Sequence, residues 1–319
     1  MQTLWPIKNT RLSTEDIAAV NSKVNTAFKD VCKQQNIGND LTPFLNTFYI
    51  PFADWLHKKQ TTAKQTLIIG INGAQGSGKS TLATLLACIL EKGFALNTVI
   101  LSIDDIYKTR QQRQIMARQV QPLFETRGAP GTHDTELGIQ LLSSFKHLKK
   151  GETMTYPVFD KAKDDRAVQK DWPCCEGAID IVFFEGWCVG APAQKDSTIK
   201  NPINALERDE DSSCIWRKHV NNHLKTDYKE LFTLLDYLIF LKIPSFDAIL
   251  KWRGLQEQKL IAKNQQEQHL MASQKSLRRF IQHFERLTRH QLDVLPDIAE
   301  LTIHIGNDHQ AERVLFKRS

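Results

Sequence analysis

Gly73-Ala74-Gln75-Gly76-Ser77-Gly78-Lys79-Ser80 satisfies the pattern G-x-x-x-x-G-K-[ST], whose chemistry is the cradling of nucleotide phosphates. The glycines let main-chain N–H groups approach a β-phosphate. The lysine ammonium neutralises β/γ oxygens, and the hydroxyl after it ligates Mg²⁺. The pattern assigns Gly73, Ala74, Gln75, Gly76, Ser77, Gly78, Lys79, Ser80 and Thr81 to the nucleotide, with Ser80 on the metal and ATP and Mg²⁺ as cofactors. A second set of reactive groups is acidic: Asp104 and Asp105 follow one apolar run, and Glu185 closes another. A carboxylate so placed can hold Mg²⁺ or take the proton of a hydroxyl attacking the γ-phosphate. Acidic residues also end strands as turn formers or caps. Three of them around one phosphate loop argue for chemistry.

These groups work only if a fold gathers them at one edge. Thr66–Ile71, Thr98–Ile103, Asp180–Phe184, Tyr237–Leu241 and Leu301–Ile305 are short apolar runs rich in β-branched and aromatic residues, as buried parallel strands require. Helical stretches lie between them: Thr81–Lys92 with Gly93 as its stop, a helix following Asp134 through Leu137, Leu141, Leu142 and Phe145, and residues 247–290. Strands alternating with helices imply crossovers and an α/β fold: a parallel sheet of the P-loop NTPase type with helices on both faces. Ligands of such sheets gather at the carboxyl ends of the strands, where Asp104, Asp105 and Glu185 stand. Residues 1–65 are expected to form a helical extension packed on a kinase-like domain of residues 66–319. In that extension Ser13-Thr14-Glu15-Asp16 caps a helix through Ile17, Val20, Val24, Phe28 and Val31. An apolar cluster from Phe44 to Leu56 follows, broken by Pro51, and the extension carries no visible chemistry. Residues 190–218, polar and charge-rich, read as an inserted loop.

Composition is that of an ordinary globular protein: 319 residues, 41% hydrophobic, 24% charged. The net charge of +6 is spread along the chain, which favours anionic ligands but is too mild for nucleic acid. There is neither a signal-peptide layout at the N-terminus nor an apolar run of membrane-spanning length, so no membrane partner is expected. Six cysteines without metal-ligand spacing indicate reduced thiols and a cytoplasmic protein. Oligomeric state is not encoded in any feature of the chain.

Several segments together resemble a known group. Leu101-Ser102-Ile103-Asp104-Asp105-Ile106-Tyr107 and Phe183-Phe184-Glu185-Gly186-Trp187 are similar to the corresponding stretches of uridine kinases, pantothenate kinases and phosphoribulokinases. Within that group, the chain looks closest to D-glycerate 3-kinases of the plant and fungal type and their bacterial relatives. Arg127-Gly128-Ala129-Pro130-Gly131-Thr132-His133-Asp134 is the specific element, joined by Tyr156–Lys161, Asp164-Asp165-Arg166, Glu185–Gly190 and Ile249–Glu257. The resemblance runs from about residue 65 to about residue 290. It implies transfer of the γ-phosphate of ATP to D-glycerate, giving 3-phospho-D-glycerate, by a phosphotransferase with an alcohol acceptor. Carried over residue by residue, it makes Asp104 the general base with Asp105 as competitor, places Glu185 on Mg²⁺, and makes Arg253 a lid arginine beside Lys79 in the catalytic set. A hydroxy-acid acceptor brings a carboxylate, and Asp105, Tyr107, Arg127, His133, Asp134, Lys161 and Arg166 stand in the family-like segments as its candidate contacts. Asp134 also suits a helix cap, and Lys161-Ala162-Lys163-Asp164-Asp165-Arg166 also suits a solvated loop. A related kinase of another hydroxylated acceptor and an ATP-binding regulatory protein are the alternatives. The regulatory protein would need no base and no charged acceptor pocket.

Overall fold

A computed structural model describes residues 4–6, 12–249, 252 and 274–317. The sheet has six strands: β1 (Leu67–Gly73), β2 (Thr98–Ser102), β7 (Ile181–Gly186), β8 (Tyr237–Lys242), β9 (Leu301–Ile305) and β10 (Ala311–Phe316), in the spatial order β10-β9-β8-β1-β7-β2. All neighbouring pairs are parallel except β9 with β10. Strand side chains alternate between two cores. Ile69, Ile71, Phe183, Ile239 and Leu241 enter one, while Ile68, Val182, Phe184, Leu238 and Phe240 enter the other. Burial on both faces is why these strands are continuously apolar in sequence.

On the first face lie α1 (Thr14–Gln34), α2 (Ile50–Ala63) and α3 (Lys79–Phe94). Ser13 caps α1, accepting from the Asp16 N–H while the Asp16 carboxylate accepts from the Ser13 N–H. Val20, Val24 and Phe28, one turn apart, are buried by it. Each such side chain contributes about 1.5–3 kcal/mol over leaving it in water. Pro51 does not break the apolar cluster. It occupies the first turn of α2, where its missing N–H costs no hydrogen bond, and Phe52, Trp55 and Leu56 continue into the core. Nor does Gly93 stop α3, which runs on to Phe94 and ends on Ala95 in the left-handed region.

The second face carries α5 (Thr135–His147), α7 (Ile215–Lys225), α8 (Asp227–Phe232) and part of α9 (Gln274–Ile298). The polar stretch read as a loop is irregular over residues 190–204 and then holds the short helix α6 (Ala205–Glu210) and the start of α7. Its buried charges, Glu207, Asp211 and Arg217, are paired inside the protein. Buried Arg217 donates from Nε to the Asp211 carboxylate (2.8 Å), from Nη1 to the Ile199 carbonyl and from Nη2 to the Asp211 carbonyl, and Arg286 of α9 pairs with Glu207 at 2.7 Å. Composition alone cannot tell such an internal network from a solvated face. Beyond β2 come α4 (Arg110–Gln119) and two small antiparallel ribbons. β3 (Thr153–Thr155) pairs with β6 (Cys174–Glu176), and β4 (Phe159–Asp160) pairs with β5 (Asp165–Arg166). No helix among the described residues is long and apolar enough to cross a membrane.

Candidate active site

The phosphate loop joins the end of β1 to the first residue of α3, Lys79. The turn is so tight that a Cβ on Gly73 would lie 2.4 Å from the Ser77 Oγ and 3.1 Å from the Leu241 Cβ, so the Ser77 hydroxyl would have to move. Glu185, at the end of the neighbouring strand β7 and only 5% exposed, faces this loop. The Ser80 Oγ donates to its Oε1 (2.8 Å), and the Lys79 ammonium stands 3.9 Å from Oε2. Three buried polar atoms at this loop have no hydrogen-bond partner among the described residues: the Ser77 Oγ, the Gln75 Oε1 and the Glu185 Oε2. Unsatisfied groups of this kind are costly unless a ligand completes them. A hydroxyl, a carboxylate and an ammonium around a loop of N–H groups fit a polyphosphate with a divalent cation.

A cleft of about 530 Å³ opens beside the loop. One wall is Gly76–Leu82. The others come from residues 35–49 of the N-terminal extension and from the β9–β10 turn. The Asn39 amide donates to the Asp308 carbonyl (2.9 Å), and the His309 Nδ1 meets the Gly76 carbonyl (3.0 Å). The rings of Trp252 and His309 lie 4.2 Å apart. The extension, in which the sequence showed no chemistry, therefore lines a ligand-sized cleft. No local pattern announces this, because the wall is made by tertiary packing.

Asp104 and Asp105 occupy a single helical turn, Ile103–Ile106, capped by Ser102 at the carboxyl end of β2. The cap separates their roles. Asp105 accepts the Ser102 N–H on Oδ2 and the Phe159 N–H on Oδ1 (both 3.1 Å), tying β2 to the ribbon β4–β5. Burial pushes its carboxyl up to about 6 against those two bonds. Asp104 instead pairs with the Lys161 ammonium at 3.2 Å. Burial would raise its carboxyl, but Lys161 first, then Lys79 and the Tyr107 hydroxyl, hold it below the usual aspartate range. Asp104 is thus an ionised base within the field of the phosphate-loop lysine.

The segment 127–134 lies across Tyr107. Gly131 (φ +104°) turns the chain where a Cβ would lie 2.6 Å from the His223 ring, and Thr132 closes the turn by bonding Gly128 and Ala129. His133 is fully buried, its ring stacked on Tyr107 at 4.4 Å and 19° and its Nδ1 on the Tyr228 hydroxyl. Burial pulls its pKa down to about 3, so it is neutral. Asp134 caps α5 through Oδ1 to the Leu137 N–H, and its Oδ2 meets the Arg166 Nη2 at 3.3 Å. Arg166 also donates to the Tyr107 carbonyl (2.9 Å), and its buried Nε has no partner among the described residues. Arg127 pairs with Asp164, its guanidinium 5.4 Å from the Phe159 ring centre.

The structure thus brings Lys79, Ser80, Glu185, Asp104, Tyr107, His133 and Lys161 together. Asp105, Asp134, Arg127 and Arg166 are held largely by protein partners around that group. Arg253 lies outside the described residues. Two further residues gave no sequence signal. Arg113, 1% exposed, binds the Lys108, Glu125 and Asp164 carbonyls and the Asp164 carboxylate, organising the 160–166 turn from below. Tyr228 comes from α8, some 95 positions beyond His133.

The sequence profile of the Phosphoribulokinase / Uridine kinase family matches residues 68–200. The chain is 30% identical over 240 residues to the uncharacterized kinase mug58 of Schizosaccharomyces pombe, covering 72% of this chain and 82% of that one. Identity to the chloroplastic D-glycerate 3-kinase of Arabidopsis thaliana is 29% over 223 residues. That match covers 65% of this chain but 46% of the plant enzyme, less than half its length. Among solved structures, D-glycerate 3-kinase from Cryptococcus neoformans superposes with a TM-score of 0.70 at 22% identity, over 84% of this chain and 97% of the other. That likeness establishes the fold.

Proposed function

The chain belongs to the phosphoribulokinase/uridine kinase family, and on that footing we propose that it transfers the γ-phosphate of ATP to a hydroxyl of D-glycerate, giving 3-phospho-D-glycerate. The observation that carries this reading is Asp104, held ionised between Lys161 and Lys79 at the carboxyl end of β2. A base beside a phosphate loop serves a hydroxyl acceptor, and a nucleotide switch has no use for it.

The phosphate loop from Gly73 to Thr81 would hold the triphosphate, with base and ribose in the cleft lined by residues 35–49 and the β9–β10 turn. Lys79 offsets charge on the transferring phosphoryl group. Ser80 and Glu185 would hold Mg²⁺, which when bound neutralises charge on the β,γ-oxygens. Asp104 orients the acceptor hydroxyl and takes its proton as the oxygen attacks in line. Lys161, two-thirds exposed, sits where the acceptor carboxylate would find a cation, and Tyr107 and His133 form the wall behind. The six unpaired cysteines and a small anionic substrate suit the reducing cytoplasm. The relatives' D-glycerate 3-kinase names support glycerate as the acceptor. The test is a phosphorylation screen with Mg-ATP over D-glycerate, L-glycerate, other hydroxy acids, pantothenate, sugars and nucleosides. Phosphoglycerate formation well above ATP hydrolysis is expected. Efficient transfer to another acceptor with none to glycerate would remove the substrate and keep the kinase.

A further inference from the structure

Tyr228 stands far from every segment that resembles a kinase motif, yet its hydroxyl is the hub of the acceptor wall. It accepts the main-chain N–H of Gly131 (3.0 Å) and of His133 (3.3 Å), and the same oxygen contacts the His133 Nδ1. A phenolic oxygen has two lone pairs and one proton. The two N–H groups fill the lone pairs, so the only group left for the ring nitrogen is the O–H itself. Nδ1 must therefore be the acceptor. A neutral imidazole that accepts at Nδ1 carries its proton at Nε2. That nitrogen is buried and has no partner among the described residues.

We propose that Tyr228 is a positioning residue: it locks His133 as the Nε2–H tautomer, making that N–H a donor reserved for a carboxylate or hydroxyl oxygen of the acceptor. The inference rests on the kinase reading above and deepens it on the acceptor side. Three features of the wall agree. Tyr107 stacks on the His133 ring and fixes its plane. Tyr107 also hydrogen-bonds Asp104, so base and donor share one rigid surface. Gly131 permits the turn that aims its N–H at Tyr228, where any side chain would strike His223. An imidazolium would add a third donor to an oxygen whose lone pairs are already filled, and deep burial opposes the charge. The donor is therefore uncharged. It selects an acceptor oxygen by geometry and leaves the attraction of its negative charge to Lys161.

The experiment reads the tautomer directly. Long-range ¹H–¹⁵N spectra of ¹⁵N-histidine-labelled protein, with His133 assigned by its disappearance in His133→Asn, should show the Nε2–H form at neutral pH. D-glycerate should move that resonance. In Tyr228→Phe the Nε2–H form should lose its dominance, and the acceptor KM should rise about tenfold, the worth of one hydrogen bond, while the ATP KM stays within about twofold. His133→Gln, which keeps an amide donor, should retain more acceptor affinity than His133→Leu. An Nδ1–H or doubly protonated His133 in the native protein overturns the proposal. So does an unchanged acceptor KM in a Tyr228→Phe variant whose tautomer has changed. If Tyr228→Phe fails to fold, the native spectrum still decides. A chain that phosphorylates no acceptor sinks the kinase reading, whereas the tautomer of the free protein is read from its own spectrum and stands or falls separately.

Discussion

Lys79 and Ser80 reach the site from one continuous strand–loop–helix unit. Asp104, His133, Lys161 and Tyr228 reach it from four segments spread over more than a hundred positions. The difference in construction follows from what each side is proposed to bind. A polyphosphate is met mainly by main-chain N–H groups, which a glycine-rich turn supplies in one stretch. A small hydroxy acid is met by side chains, and each must be stiffened by others. Hence the acceptor side holds many charges that bind protein: Arg113 and Arg127 on Asp164, Arg166 on Asp134, and Asp105 on two N–H groups. Residue type identifies a candidate contact, but geometry decides whether it faces ligand or scaffold.

Variants can break this contrast. The largest effect is expected at Asp104→Asn, with kcat falling by about 10²–10⁴ while the Kd for Mg-ATP, measured by calorimetry, stays near normal. A comparable loss of nucleotide affinity would mean that the two sides are not separable. Lys79→Ala should lower kcat by about 10²–10³ and weaken ATP with little change in melting temperature; near-normal turnover would take the phosphate loop out of the mechanism. Lys161→Ala tests the field at the base. With its foremost lowering influence gone, burial raises the Asp104 carboxyl, so the acid limb of the kcat–pH profile should move to higher pH. Because Lys161 is largely exposed and screened, the accompanying loss at neutral pH should be about tenfold or less. An unmoved acid limb would separate Lys161 from the base. The smallest effect on kcat is expected for Asp105→Asn, within a few-fold, together with about 1–3 kcal/mol lost from stability because one N–H is left unpaired. A large kcat loss there beside an active Asp104→Asn would exchange the two roles.

The five parallel strands were legible because burial on both faces leaves little choice but apolar residues. Capping signals at Ser13 and Asp134 were equally readable, since a cap is a contact between residues three apart. What escaped depends on long-range pairing. β10 alternates Ala311-Glu312-Arg313-Val314-Leu315-Phe316 at an exposed sheet edge, a pattern too short to separate from a polar turn. The helices α6 and α7 hide behind charges that neutralise one another across the chain. Arg113 and Tyr228 carry no local mark, because their importance lies in which carbonyls and N–H groups the fold delivers to them. At the doubled aspartate, residue type left the two carboxylates as competitors for one role. They diverge through a capped helical turn that commits one to the main chain.

The cleft beside the phosphate loop is closed by a bond between Asn39 and Asp308, residues 269 positions apart. Closing so wide a loop costs entropy that only the finished sheet can offset. During synthesis the phosphate loop leaves the ribosome early, with its strand and helix already able to form. Of the facing walls, residues 35–49 precede the loop, and the β9–β10 turn emerges last. A nascent chain therefore exposes its phosphate-binding turn for most of its translation without a complete chamber to retain a nucleotide. A chain interrupted before the last two strands would keep the phosphate loop but lack the β9–β10 side of that chamber.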